Sequence, residues 1–107
     1  MVAELQALYH IPDPEPVEAF LTGRADLLPY LVEIPERVRD VAGPIPFTLM
    51  LEHHEDPEED FEYLVVTARV PGTVDSHMEL LNAFDDTWWL DVPADVCAAV
   101  VVTVATV

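Results

Sequence analysis

FTLMLEHHEDPEEDFEYLVVTARV, residues 47–70, decides the fold. Phe47, Leu49, Leu51 and His53 alternate with Thr48, Met50, Glu52 and His54, a period of two that puts the two sets on opposite faces of a strand. After it, Glu55-Asp56-Pro57-Glu58-Glu59-Asp60 reads as a turn, and Phe61 to Val70, rich in Val, Tyr, Phe and Thr, reads as a second strand. The pair predicts a β-hairpin with an acidic tip.

Downstream, Pro71-Gly72 breaks the second strand, and Asp75 or Ser76 is placed to cap a helix, with Ser76 and Glu79 at the spacing of a capping box. Val74, Met78, Leu81, Phe84 and Trp88 then follow at intervals of four, three, three and four, which predicts one apolar helix face. Beyond Leu90–Pro93, the run from Val96 to Thr106 reads as a last strand, with Val100, Val102 and Val104 on one side. Upstream, residues 1–16 form a proline-rich arm in which Val2–Tyr9 has the pattern of a short helix. Pro12, Pro14 and Pro16 then impose extended chain. Pro16 opens a helix that ends at Gly23; Leu27, Leu28, Leu31, Val32 and Ile34 mark another, which Pro35 kinks or restarts before Gly43. The expectation is a single α+β domain over residues 1–107: N-terminal helices, hairpin, helix, strand (α-α-β-β-α-β), with a three-stranded antiparallel sheet of order 2-1-3.

Charge narrows the function classes. Four arginines and no lysine stand against 21 carboxylates, a formal net charge of −17, while 51% of the residues are hydrophobic. The apolar content is that of a folded domain, so the charge belongs to its surface. With Arg24, Arg37, Arg39 and Arg69 scattered among carboxylates, neither nucleic acid nor an anionic membrane is an expected partner. A basic protein, a cation, or plain solubility suits the charge. No membrane-length apolar run and no basic leader are seen, so a cytoplasmic location is expected, and the lone Cys97, in an apolar run, reads as a core residue without a disulfide.

At this point the residues Leu27-Leu28-Pro29, the segment Pro35-Glu36-Arg37-Val38-Arg39 closing on Gly43, the acidic-tipped hairpin and above all Leu81-Asn82-Ala83-Phe84-Asp85-Asp86-Thr87-Trp88-Trp89-Leu90-Asp91 resemble a group of small uncharacterised bacterial proteins. These carry Phe-Asp-x-x-Trp-Trp-Leu at a helix end and are associated with two-gene modules of the toxin–antitoxin kind, encoded beside a small helical protein. The resemblance covers most of residues 17–107; the proline-rich arm departs from the group's pattern. The resemblance supports the fold more than the antitoxin-like role, and it carries over no site residues.

Candidate chemistry is sparse. Glu52-His53-His54-Glu55-Asp56 holds the densest set of metal-ligand types, but neighbouring histidines on a strand face opposite ways and cannot share one ion without a bulge or a second chain. Asp56, Glu58, Glu59 and Asp60 lack the central glycine of a calcium loop. Ser76 lacks a nucleophile-elbow context, Cys97 has no basic neighbour, and three glycines make no phosphate loop, so neither an enzyme nor a cofactor is expected. Trp88-Trp89 is the better signal. Helical neighbours lie ~100° apart, so if Trp88 continues the core stripe, Trp89 looks toward its edge or out to solvent, either covering the open end of the sheet under the proline arm or serving as an anchor with Asp85, Asp86 and Asp91 as an acidic rim suited to a basic partner. The leading expectation is therefore a non-catalytic acidic partner protein: antitoxin-like, inhibitory or adaptor. A homo-oligomer, such as a homodimer paired through the uncharged last strand, is the first alternative. A metal or small-ligand module using His53, His54 and the acidic turn is the second.

Overall fold

The hairpin forms where the alternation places it. In the computed structural model, which describes Met1 to Val107, β1 (Thr48–Asp56) and β2 (Phe61–Arg69) pair antiparallel from Thr48 opposite Arg69 to Asp56 opposite Phe61. Asp60 closes the turn at φ 51°, a left-handed position that aspartate tolerates better than most residues. Leu49, Leu51, Leu64, Val66 and Ala68 are buried on one face. Around the hairpin stand α1 (Val2–Leu5), α2 (Pro14–Gly23) and α3 (Leu28–Ala42) before it, and α4 (Val74–Thr87), α5 (Ala94–Ala99) and β3 (Val100–Ala105) after it. The protein is α+β: helices α2 and α4 pack on β1 and β3, α3 packs against α4, and the core lies between these helices and one sheet face.

The strand order is β1-β2-β3, with β3 parallel to β2, and this corrects the expected antiparallel 2-1-3 arrangement. Composition explains the centre. β2 carries no charge from Tyr63 to Ala68, whereas β1 carries Glu52, His53, His54, Glu55 and Asp56, groups that an edge strand keeps near water. The last strand also begins later than expected. Val96–Ala99 is the end of α5, which starts after Pro93 with Asp95 in its first turn; three alanines among its six residues favour helix where the valines that follow favour strand.

Two further corrections concern the helices. Thr73 rather than Asp75 or Ser76 caps α4: its Oγ1 accepts the Ser76 N–H at 3.2 Å while Ser76 Oγ accepts the Thr73 N–H at 2.9 Å. The inward face accordingly starts with His77, whose Nε2–H donates to the Val70 carbonyl at 2.8 Å, and leaves Val74 and Met78 exposed. The second concerns Pro35, where of the two alternatives the restart is ruled out: α3 runs continuously from Leu28 to Ala42 with Pro35 inside it. A proline there cannot donate to the carbonyl four residues back, that of Leu31. Tyr9 replaces the missing donor. Its buried hydroxyl donates to Leu31 O at 2.6 Å, and burial pushes the Tyr9 phenol far above its ordinary pKa.

That bond anchors the arm. Only α1 and the start of α2 are helical in residues 1–16; between them His10 lies along β1, its N–H donating to Leu49 O at 2.8 Å and its carbonyl accepting Leu51 N–H at 3.0 Å. The arm therefore covers the outer edge of β1 at Met50, with Tyr9 and Ile11 buried on either side of exposed His10. β3 forms the other edge of the sheet. No helix is long and apolar enough to cross a membrane.

Candidate functional site

The segment singled out by sequence, Asp85 to Asp91, runs from the end of α4 into a short 3-10 turn at Trp89–Asp91. Helical geometry stops at Thr87. Trp88 adopts φ −150°, ψ −48°, although its N–H still reaches Phe84 O at 3.2 Å. This break resets the phase of the chain, so Trp89 rather than Trp88 takes the core position. Trp89 is the buried ring, at 8% exposure, and Trp88 is half-buried.

The two indoles and Phe84 form one aromatic cluster. Phe84 meets Trp88 edge-on at 5.9 Å between centroids, Trp89 lies 5.7 Å from Phe84, and the two indoles are 5.5 Å apart at 63°. Over the outer side of Trp88 sits the Arg37 guanidinium, 5.1 Å from the ring centroid, held in turn by Glu33 at 3.4 Å one helical turn back. The exposed apolar residue of the segment is Leu90, 71% exposed at the tip of the turn. The aromatic doublet drew attention away from it; following the chain past the helix end, where Trp89 turns inward, is the signal that would have found it.

Carboxylates flank this tip along the chain. Asp86 and Asp91 are exposed, and Asp85 is half-buried. Desolvation, then the neighbouring Asp86 charge, holds the Asp85 carboxyl above the usual range. Asp85 and Asp95 also reach Cys97: burial first, then these two charges, push its thiol up, and Sγ lies 3.5 Å from Trp89 O and 3.7 Å from Val92 O as a weak donor. A thiol so placed disfavours the thiolate that nucleophilic chemistry requires. Besides Arg37 over Trp88, Arg24 reaches this end of the molecule, 3.6 Å from Asp95 and in a two-pronged bond to Asp26 at 3.0 and 3.1 Å. That bond and its charge hold Asp26 below the usual range and raise Arg24.

The other candidates lie apart. His53 Nε2 is 3.0 Å from Glu62 and its ring packs on Phe20 at 5.6 Å; His54, on the opposite face, stacks on Tyr63 at 5.7 Å with Glu52 at 3.9 Å. At the hairpin tip, Asp56 Oδ1 accepts the Glu58 N–H at 3.1 Å. Nowhere do three His, Cys, Asp or Glu side chains gather as a metal site requires. Ser76 is spent on the α4 cap. The largest cleft, about 600 Å³, is lined without any carboxylate, by residues that include His10, Arg39, Ile45 and Phe47, and shares no residue with the Asp85–Asp91 tip. Comparison of the chain with protein-family models, with curated proteins and with solved structures gives no match.

Proposed function

We propose that this protein works by binding rather than catalysis, as an acidic partner of a more basic protein, in an antitoxin-like, inhibitory or adaptor role, with the end of α4 as its contact surface. One observation carries the reading: the carboxylates are overwhelmingly left without cations. Of the 21, only Glu18, Asp26, Glu33, Glu52, Glu62 and Asp95 lie within 4.0 Å of a basic nitrogen, two of them facing only an imidazole. Asp85, Asp86 and Asp91 are among the remainder, on either side of the exposed Leu90. An apolar knob flanked by unneutralised charge fits a hydrophobic anchor with a polar rim, and such a rim selects a cationic surface. Asp85 supports this further, because a carboxyl raised by desolvation and by a like charge gains from an approaching cation.

The test is co-purification from the native cell with a tagged chain. A basic protein retained at low salt should be released as ionic strength rises toward ~0.5 M, since exposed pairs are screened beyond roughly 8 Å already at physiological salt. The variant with Asp85, Asp86 and Asp91 all changed to Asn, and separately Leu90→Ala, should lose it. Retention of the same protein by the triple variant would sink the proposal.

A further inference from the structure

We propose that β3 is a self-association edge: it pairs antiparallel with β3 of a second copy about a two-fold axis at Thr103, joining two three-stranded sheets into one. The hydrogen-bond register supplies the first observation. Ala105 O accepts Val70 N–H at 2.9 Å, and Val101, Thr103 and Ala105 stand opposite Val65, Thr67 and Arg69 of β2. In a strand the backbone polar groups alternate sides, so Val102 and Val104 turn both N–H and C=O outward, away from β2. Val100 has already spent its N–H on Val96 O. Unpaired strand amides are a template for another strand. The sheet's other edge is guarded, because the arm bonds β1 at His10 and the rest of that strand carries Glu52, Glu55 and Asp56.

The surroundings of that edge are the second observation. On the helix side, Val74 is 72% and Met78 58% exposed, and with Leu81 they line a groove of about 300 Å³ against Thr103, Val104 and Ala105. On the other face Val101 is 44% exposed. Neither β3 nor the lining of the groove includes a carboxylate, in a chain where 21 of 107 residues are acidic. This neutral strip identifies the occupant. A cationic partner is drawn to the carboxylates elsewhere, whereas two copies, each carrying −17, can approach closely only along a line free of charge. The strand is also complementary to itself. With the axis at Thr103, Val102 exchanges both bonds with Val104 of the second copy, Thr103 faces Thr103 and Val101 faces Ala105; the β-branched and hydroxyl side chains opposed in this way are favoured across a sheet. The exposed Val74 and Met78 of the two copies then flank the joint.

The inference stands independently of the basic-partner reading and carries the opposite salt signature. Association of two −17 chains tightens as salt screens their repulsion, whereas a basic partner is released. Sedimentation velocity on the full chain should show a dimer whose dissociation constant falls several-fold as salt rises from about 0.02 to about 0.5 M. Thr103→Glu and Thr103→Lys each oppose like charges across the axis and should weaken that dimer by at least about tenfold. An equimolar mixture of the two should recover a heterodimer at wild-type affinity or better, and circular dichroism on each variant establishes that it is folded. If one variant fails to fold, the salt series and the other variant decide. A wild-type chain that stays monomeric at about 0.5 M salt and high concentration overturns the proposal, as does a folded Thr103 variant that dimerises like wild type, or two folded variants that fail to pair when mixed.

Discussion

Removing the Tyr9 hydroxyl tests the link that holds the N-terminal arm to α3. Leu31 O is a buried carbonyl whose helical donor is missing because Pro35 has no N–H, and its compensating partner is the phenol 2.6 Å away. Tyr9→Phe keeps the ring in the core and leaves that carbonyl unsatisfied, a cost of about 1–3 kcal/mol. With a urea dependence near 2 kcal/mol per molar for a domain of this size, the midpoint should fall by roughly 0.5–1.5 M. Pro35→Ala supplies the absent N–H to the same carbonyl, whatever that change does to packing. In the Pro35→Ala background, therefore, Tyr9→Phe should cost about 1 kcal/mol less than in wild type, a coupling that a double-mutant cycle isolates. Far-ultraviolet circular dichroism across a urea series on the four proteins measures it. Strict additivity would refute the reasoning, since it would mean that the phenol and the missing amide do not answer for the same carbonyl.

The tryptophans should separate in stability: Trp89→Ala, a buried truncation, should cost about 3–5 kcal/mol, and Trp88→Ala, which loses a half-exposed ring and its Arg37 contact of about 0.5–1 kcal/mol, should cost clearly less. Thermal melts showing Trp88→Ala to be the more damaging would reverse the assignment of core and rim. Asp85→Asn should stabilise at pH 7. The carboxyl's folded-state pKa is raised by desolvation and by Asp86, so its favourable contribution is present below the unfolded value of about 3.9 and is lost as pH rises through the folded one. Melting temperatures of the two proteins should thus converge near pH 3, and a variant less stable than wild type at pH 7 would contradict this.

The parts of this fold that the sequence displays are those decided by neighbours in the chain. The hairpin is local: period two from Phe47 and again from Phe61, with an acidic proline turn between, needs no knowledge of the rest. Strand order is not local. It depends on which strand can be covered on both edges, and the absence of charge between Tyr63 and Ala68 is the clue that β2 takes the middle. Val96–Ala99 misled because an unbroken apolar run has no period to distinguish buried helix from strand, leaving the alanines as the single hint. The tryptophan phase failed for another reason: α4 ends at Thr87 with neither glycine nor proline to announce it, and extending the stripe one residue too far interchanges core and rim. Asp85, Asp86 and Asp91 could be named from sequence because charge near a helix end is visible there. The bond from Tyr9 to Leu31, 22 residues away, could not.

The same arm that repairs the helix also bears on how self-association would end. An edge strand that templates one copy can template many if the opposite edge is open, and the product is a growing ribbon rather than a closed pair. Here His10 occupies β1 with a bond in each direction, N–H to Leu49 O and Leu51 N–H to its own carbonyl. Pro12 and Pro14 follow immediately and have no backbone donor to offer a further strand. Pairing through β3 about a two-fold axis consumes that edge, while the arm at Met50 and the charges of Glu52, Glu55 and Asp56 oppose pairing along β1, so the assembly closes at two. If Tyr9→Phe loosens the arm as argued above, it should also uncover β1, and the variant should form species larger than the dimer at a salt concentration where wild type does not. Sedimentation of the folded variant that shows no such species would separate the arm's grip on α3 from its cover of the sheet.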